Sequence, residues 1–213
     1  SFIFAACNAT QNGKSSRANR MPDTDSAGRQ AAPFLPSDIL DFWYDEEMRH
    51  CWFSSTPALD ALIRGRFEDA WQRAATGELD GWKGSAEGCL ALVILLDQMP
   101  LNMFRGKAES FKTEQQAVSV CKYALAQGFD SLLPVERRAF LYMPLMHSED
   151  LGDQDLSVSL FESAALADNL RFARHHRELI RKFGRFPHRN RIVGRASTPE
   201  EEAYLASEGA FTG

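Results

Sequence analysis

Three short polar segments interrupt an otherwise apolar chain of 213 residues, and they hold the side chains able to do chemistry. The first is Asp97-Gln98-Met99-Pro100-Leu101-Asn102-Met103-Phe104-Arg105-Gly106. Asp97 and Gln98 close the most apolar stretch of the sequence, where a carboxylate is costly unless paired. Two readings are open. Asp97 and Arg105 form a structural pair that ties down the turn after Pro100, or both face a ligand in a cleft. The second segment is His147-Ser148-Glu149-Asp150-Leu151-Gly152-Asp153-Gln154. A histidine followed by carboxylates suits an acid–base pair or a divalent cation. Ser148 and Asp150 also read as helix caps, with Glu149 and Asp153 at the positive end of the helix dipole.

The third segment is Phe183-Gly184-Arg185-Phe186-Pro187-His188-Arg189-Asn190-Arg191, extended by Arg195. No helical or strand period accounts for this order, so these side chains are expected in one defined loop. Gly184 lets the chain leave the preceding helix in a left-handed conformation, and Pro187 stiffens the loop. Arginine forks suit a carboxylate or phosphate, because each donates two parallel hydrogen bonds. The alternative is an internal lattice pairing Arg185, Arg189 and Arg191 with Glu149, Asp150 and Asp153. A lattice gives no reason for His188.

These residues define the expected site. His188 and His147 are the candidate acid or base, and Glu149 is their carboxylate partner. Asp97, Arg105, Arg185, Arg189 and Asn190 are the candidate ligand contacts. No metal ligands are assigned, although a variant reading puts a metal between His147, Glu149 and His188. The sequence names no cofactor. His175 and His176 are adjacent, diverge by about 100° on a helix and cannot share a metal; His176 is expected inward and His175 outward. Glycine-rich phosphate loops, nucleophile elbows, zinc helices and dinucleotide fingerprints are absent from the sequence.

The elements that position these residues are helices. Thr56-Pro57 reads as a cap followed by proline at the first helical position, opening an apolar face of Leu59, Leu62, Ile63, Phe67, Ala70, Trp71 and Ala74 that stops at Gly77. Residues 86–98 are apolar all round, as in a helix packed on every side. Thr113 with Gln116 forms a capping-box pattern, ending at Gly128. Pro134 starts a helix that Pro144 is expected to kink or end. Helices are expected at 150–168 and 170–183, the latter with Phe172, Ala173, His176, Leu179, Ile180 and Phe183 inward. A final helix opens at Thr198-Pro199, and a short one near Pro36, capped by Ser37. No alternating strand pattern occurs, so the fold class is all-α, with about eight helices.

A hydrophobic fraction of 44%, a charged fraction of 25% and a net charge of -5 describe a globular chain. They argue against a nucleic-acid binder. No apolar run reads as a membrane span, and the opening Ser-Phe-Ile-Phe-Ala-Ala-Cys lacks the basic region of a signal. Residues 1–35 read as a disordered extension, with Met21 a candidate start, and residues 36–213 as one domain. Cys7, Cys51, Cys89 and Cys121 lie far apart without a C-x-x-C pair, which favours a reducing, cytoplasmic setting.

The chain resembles a bacterial family known as domain of unknown function 924. The resemblance rests on Ile39-Leu40-Asp41-Phe42-Trp43, Trp52-Phe53, Leu95-Leu96-Asp97-Gln98 through Arg105-Gly106, His147-Ser148-Glu149-Asp150, Phe183 through Asn190, Gly194-Arg195 and Ser197-Thr198-Pro199-Glu200. It covers roughly residues 37–213. It implies antiparallel helix pairs in a tetratricopeptide-like array and supplies no reaction. The family usually carries arginine where this chain has Leu101, which leaves Arg105 as the cation of that motif.

Two functions are consistent with these features. One is a site for an anionic small molecule, with histidine–carboxylate acid–base catalysis if the protein is an enzyme. The other is a helical interaction module that binds a partner protein or peptide without catalysis. No feature of the sequence sets an oligomeric state.

Overall fold

The computed structural model describes residues 34–52 and 54–211. Phe53 and the expectations for residues 1–33, Cys7 and Met21 among them, lie outside these. Every regular element among the described residues is helical. Helix α1 (Pro36–Trp43) starts one residue before the expected cap: Leu35 is the N-cap, and its N–H donates to Asp38 at 2.8 Å. After the one-turn α2 (Glu46–Arg49), α3 (Pro57–Ala75) opens as the sequence indicates, with Thr56 Oγ1 accepting from the Leu59 N–H at 3.2 Å. Ile63, Phe67, Ala70, Trp71 and Ala74 form its buried stripe, whereas Leu62 faces solvent.

The apolar stretch forms the central rod. It comprises α4 (Ala86–Val93), a π-turn (Ile94–Gln98) and α5 (Met99–Met103), so it runs past the expected end at residue 98. By length and hydropathy Ala86–Met103 reaches the threshold of a membrane span, contrary to the sequence reading. It is nonetheless 89% buried within the protein, as a core helix is. Gly88 is where the rod meets the preceding turn: a Cβ there would lie 1.9 Å from the Trp82 carbonyl oxygen.

Pro100 has no N–H to offer the carbonyl of Leu96 four residues back. The Thr113 hydroxyl supplies the bond instead, donating at 2.6 Å and accepting from Trp71 Nε1 at 3.0 Å. Thr113 therefore does not close the expected capping box on α6 (Glu114–Ala126), and Gln116 reaches across to the Ala75 carbonyl. Gly128 (φ 69°) ends that helix as read.

Helix α7 (Val135–His147) continues one turn beyond Pro144, because the residues after the proline still donate inward, Ser148 N–H to Pro144 O at 3.1 Å among them. Helices α8 (Leu151–Ser163) and α9 (Ala167–Phe183) come next across tight turns and pack successively, α7 on α8 and α8 on α9. α9 buries Ala173, His176, Leu179 and Ile180, and His175 is exposed as expected. Phe172 is 45% exposed, contrary to its expected inward place. α10 (Pro199–Leu205) begins with the reciprocal Thr198–Glu201 capping box.

Candidate functional site

The π-turn determines where Asp97 points. One extra residue per turn re-aims the side chains of an otherwise regular helix, and such turns concentrate at functional positions. Asp97 lies 4% exposed inside the core, yet its partner is not Arg105. Both its oxygens lie against Nδ1 of His147, at 2.9 and 3.0 Å, and the Gln98 amide donates to Oδ2. His147 is the last residue of α7, and its side chain keeps 19% exposure. With Nδ1 committed to the carboxylate, Nε2 is the nitrogen left for a ligand. Burial works to push the imidazole down, but the charge and hydrogen bond of Asp97 outweigh it and raise His147 above its ordinary value.

A second carboxylate stands beside this pair. Glu114, the first residue of α6, binds Arg189 at 2.8 Å. The same guanidinium donates to the His147 backbone carbonyl at 3.0 Å, so one side chain holds both α6 and the end of α7. The Arg189 guanidinium carbon lies over the rings of Phe111 and Phe186, 4.5 and 4.6 Å from their centroids. Burial pushes the Glu114 carboxyl up to about 7, and Arg189 and His147 pull against it while Asp97 and Glu149 add to it.

The remaining expected residues are distributed around this cluster. Glu149 is engaged by Arg195 at 2.6 and 2.8 Å and by the Phe186 N–H at 2.8 Å. Burial alone would raise its carboxyl; those donors hold it below the usual range. Arg185 and Asn190 converge on Glu201, at 2.7 and 2.8 Å and at 3.1 Å, and pin the loop to α10. Arg105 binds Asp60 at 2.7 and 3.2 Å, beside Asn102 and Ser55, and fastens the end of the rod to α3. Asp150 caps α8 through the Asp153 N–H, and Asp153 pairs with Lys122 and Ser148. The expected lattice does not form: Arg185 pairs with Glu201 and Arg189 with Glu114, Glu149 is taken by Arg195, and among the described residues no ion pair joins Arg191 to the acids of the second segment.

His188 sits between Phe186 and Phe211, ring centroids 5.6 and 5.0 Å apart, with Nδ1 buried and unpartnered. Burial, and then the Arg189 charge, push it down to about 4, so it is neutral at physiological pH. His176 is likewise held neutral, at about 3, by burial against its bond to the Phe172 carbonyl. No group of three or more His, Cys, Asp or Glu among the described residues is arranged to hold a metal, so the variant metal set of His147, Glu149 and His188 is not assembled.

The structure thus joins Asp97 and His147 directly, brings Arg189 to them through a backbone carbonyl, and leaves Arg105, Arg185 and Asn190 on other carboxylates. Sequence reading missed Glu114. A glutamate opening a helix reads as a dipole-friendly terminus, and the arginine that identifies it lies 75 residues later.

This is an all-helical protein carrying a partly open histidine–carboxylate cluster. The sequence profile of the family described as bacterial protein of unknown function (DUF924) matches residues 39–209, and the chain belongs to that family. It is similar to a solved protein of unknown function from Agrobacterium tumefaciens, with 40% identity and a TM-score of 0.76, covering 80% of this chain and 96% of the other. No curated protein matches it.

Proposed function

We propose that the protein acts on a small polar molecule by proton transfer at His147. The observation that carries this reading is the Asp97 carboxylate on Nδ1 of a partly exposed imidazole. A buried acid in that place fixes the tautomer, orients the ring and stabilises its protonated form, as the acid does in a catalytic triad. Nε2 then takes a proton from the ligand or returns one.

The expectation of an anionic ligand narrows on the same grounds. Arg185, Arg189 and Arg195 each hold a glutamate, so attraction for an anion comes from Arg189 behind His147, and from His147 itself only once its ring has gained the proton. His188, neutral and wedged between two rings, is assigned no proton transfer. A reducing cytoplasmic setting belongs to this reading and is supported by the buried free thiols of Cys89 and Cys121.

The test is incubation of the protein with a bacterial polar-metabolite fraction in D2O, beside His147→Gln of matching circular dichroism. The wild type is expected to consume a compound or load it with deuterium, at a rate about 100-fold or more above the variant. Equal behaviour of the two proteins would overturn the proposal.

A further inference from the structure

Glu114 has features that a structural ion pair does not need. Only Oε2 is bound by Arg189, and the side chain keeps 13% exposure beside the partly exposed His147. Its cation is shared: the Arg189 guanidinium also grips the backbone of His147 itself, so the carboxylate and the histidine are fixed to one rigid plane. The guanidinium carbon also lies over the rings of Phe111 and Phe186, 4.5 and 4.6 Å from their centroids.

The geometry points to Glu114 as the second proton-carrying residue of the site, with Arg189 as the positioning residue that registers it against His147. This rests on the reading of His147 as the proton-transfer group. The charged groups facing Glu114 are Arg189 from the loop, His147 from α7, Asp97 from the π-turn and Glu149 from the turn before α8. Burial raises its carboxyl, and these opposing charges leave it able to hold or release its proton near neutrality.

A pair of this kind suits an oxo- or hydroxy-compound that loses a proton at one atom while gaining one at another. Nε2 of His147 accepts the first proton with the electron pair of the bond left on the substrate. The Glu114 carboxyl gives the second to a substrate oxygen. Solvent exchange then restores both groups, with no oxidant, reductant or co-reactant required.

The experiment is a pH titration by NMR on the full chain, following the His147 ring nitrogens and the Glu114 carboxyl carbon in the wild type, Glu114→Gln and Glu114→Asp. Gln retains an acceptor for Arg189, and the exposed His175 serves as the internal control. The Glu114 carboxyl is expected to titrate near neutrality. Glu114→Gln is expected to shift the His147 midpoint downward, because the lost negative charge supported the imidazolium, and Glu114→Asp to restore part of the shift. A Glu114 carboxyl titrating in the ordinary carboxylate range, or a His147 midpoint that does not move in Glu114→Gln, would overturn the proposal. Either result would leave the His147 assignment standing, since that is judged by turnover in His147→Gln.

Discussion

Arg189→Ala should destabilise the protein by an amount that depends on pH, and the dependence comes from Glu114. In the wild type the folded Glu114 carboxyl lies at about 7 against an ordinary 4.5. The folded chain therefore holds that proton more tightly than the unfolded chain, so this group's contribution to stability declines as pH rises from 4.5 to about 7. At pH 5 Glu114 is protonated in the folded protein with or without Arg189. The variant then loses two hydrogen bonds, to the His147 carbonyl and to the neutral Glu114 carboxyl, and the contacts with two rings, about 2–4 kcal/mol. At pH 8 the wild type has an ionised, paired Glu114, whereas without Arg189 the carboxyl rises further and takes up a proton instead. That uptake adds up to about 1.4 kcal/mol per pH unit above the wild-type midpoint to the loss seen at pH 5. Urea denaturation of both proteins at pH 5 and pH 8, followed by circular dichroism, measures the difference directly. A loss that is equal at the two pH values, or larger at pH 5, would refute the coupling between Arg189 and Glu114.

Two further substitutions probe the scaffold. His188→Phe keeps the ring contacts with Phe186 and Phe211 and removes the buried, unpartnered Nδ1; thermal unfolding is expected to show unchanged or higher stability, by up to about 1 kcal/mol, and a clear loss would mean that the imidazole is bonded in the folded protein. Thr113→Val removes the bonds to the Leu96 carbonyl and the Trp71 indole N–H, so a loss of about 2–4 kcal/mol is expected from two unsatisfied buried groups, and a loss below about 1 kcal/mol would show that Thr113 does not replace the bond missing at Pro100.

The helical class, the Thr56 and Thr198 caps and the glycine stops were legible because they are local: each is set by residues within four positions. The candidate site was legible in part for the same reason. His147 and Asp97 stood out as polar groups at the ends of apolar runs, but 50 residues separate them, and only tertiary packing reveals that they bond to each other rather than to neighbours in the chain. Sequence proximity suggested Arg105 for Asp97, whereas Asp60, 45 residues earlier, takes that arginine. The π-turn was not legible at all. Nothing in Ile94-Leu95-Leu96-Asp97-Gln98 departs from a helical pattern, and the change of winding becomes intelligible only once Pro100 and Thr113 are seen together. Pro144 misled in the other direction: a proline costs a helix its backward bond, but the residues beyond it can still donate, and in α7 they carry the helix on to His147.

The measurement that bears most directly on His147 as the working residue is its own NMR titration, in the wild type and in Asp97→Asn. The structure predicts that the neutral ring carries its proton on Nδ1, facing Asp97, and that its midpoint lies above the ordinary ~6.5 of histidine. The stability it contributes is therefore fully present below that ordinary value and is lost as pH rises through the folded one. Asp97→Asn removes the charge that supports the imidazolium, and the midpoint should fall. A neutral ring protonated on Nε2, or a midpoint at or below the ordinary value that Asp97→Asn leaves in place, would contradict the assignment of His147 as a residue poised by Asp97 for proton transfer.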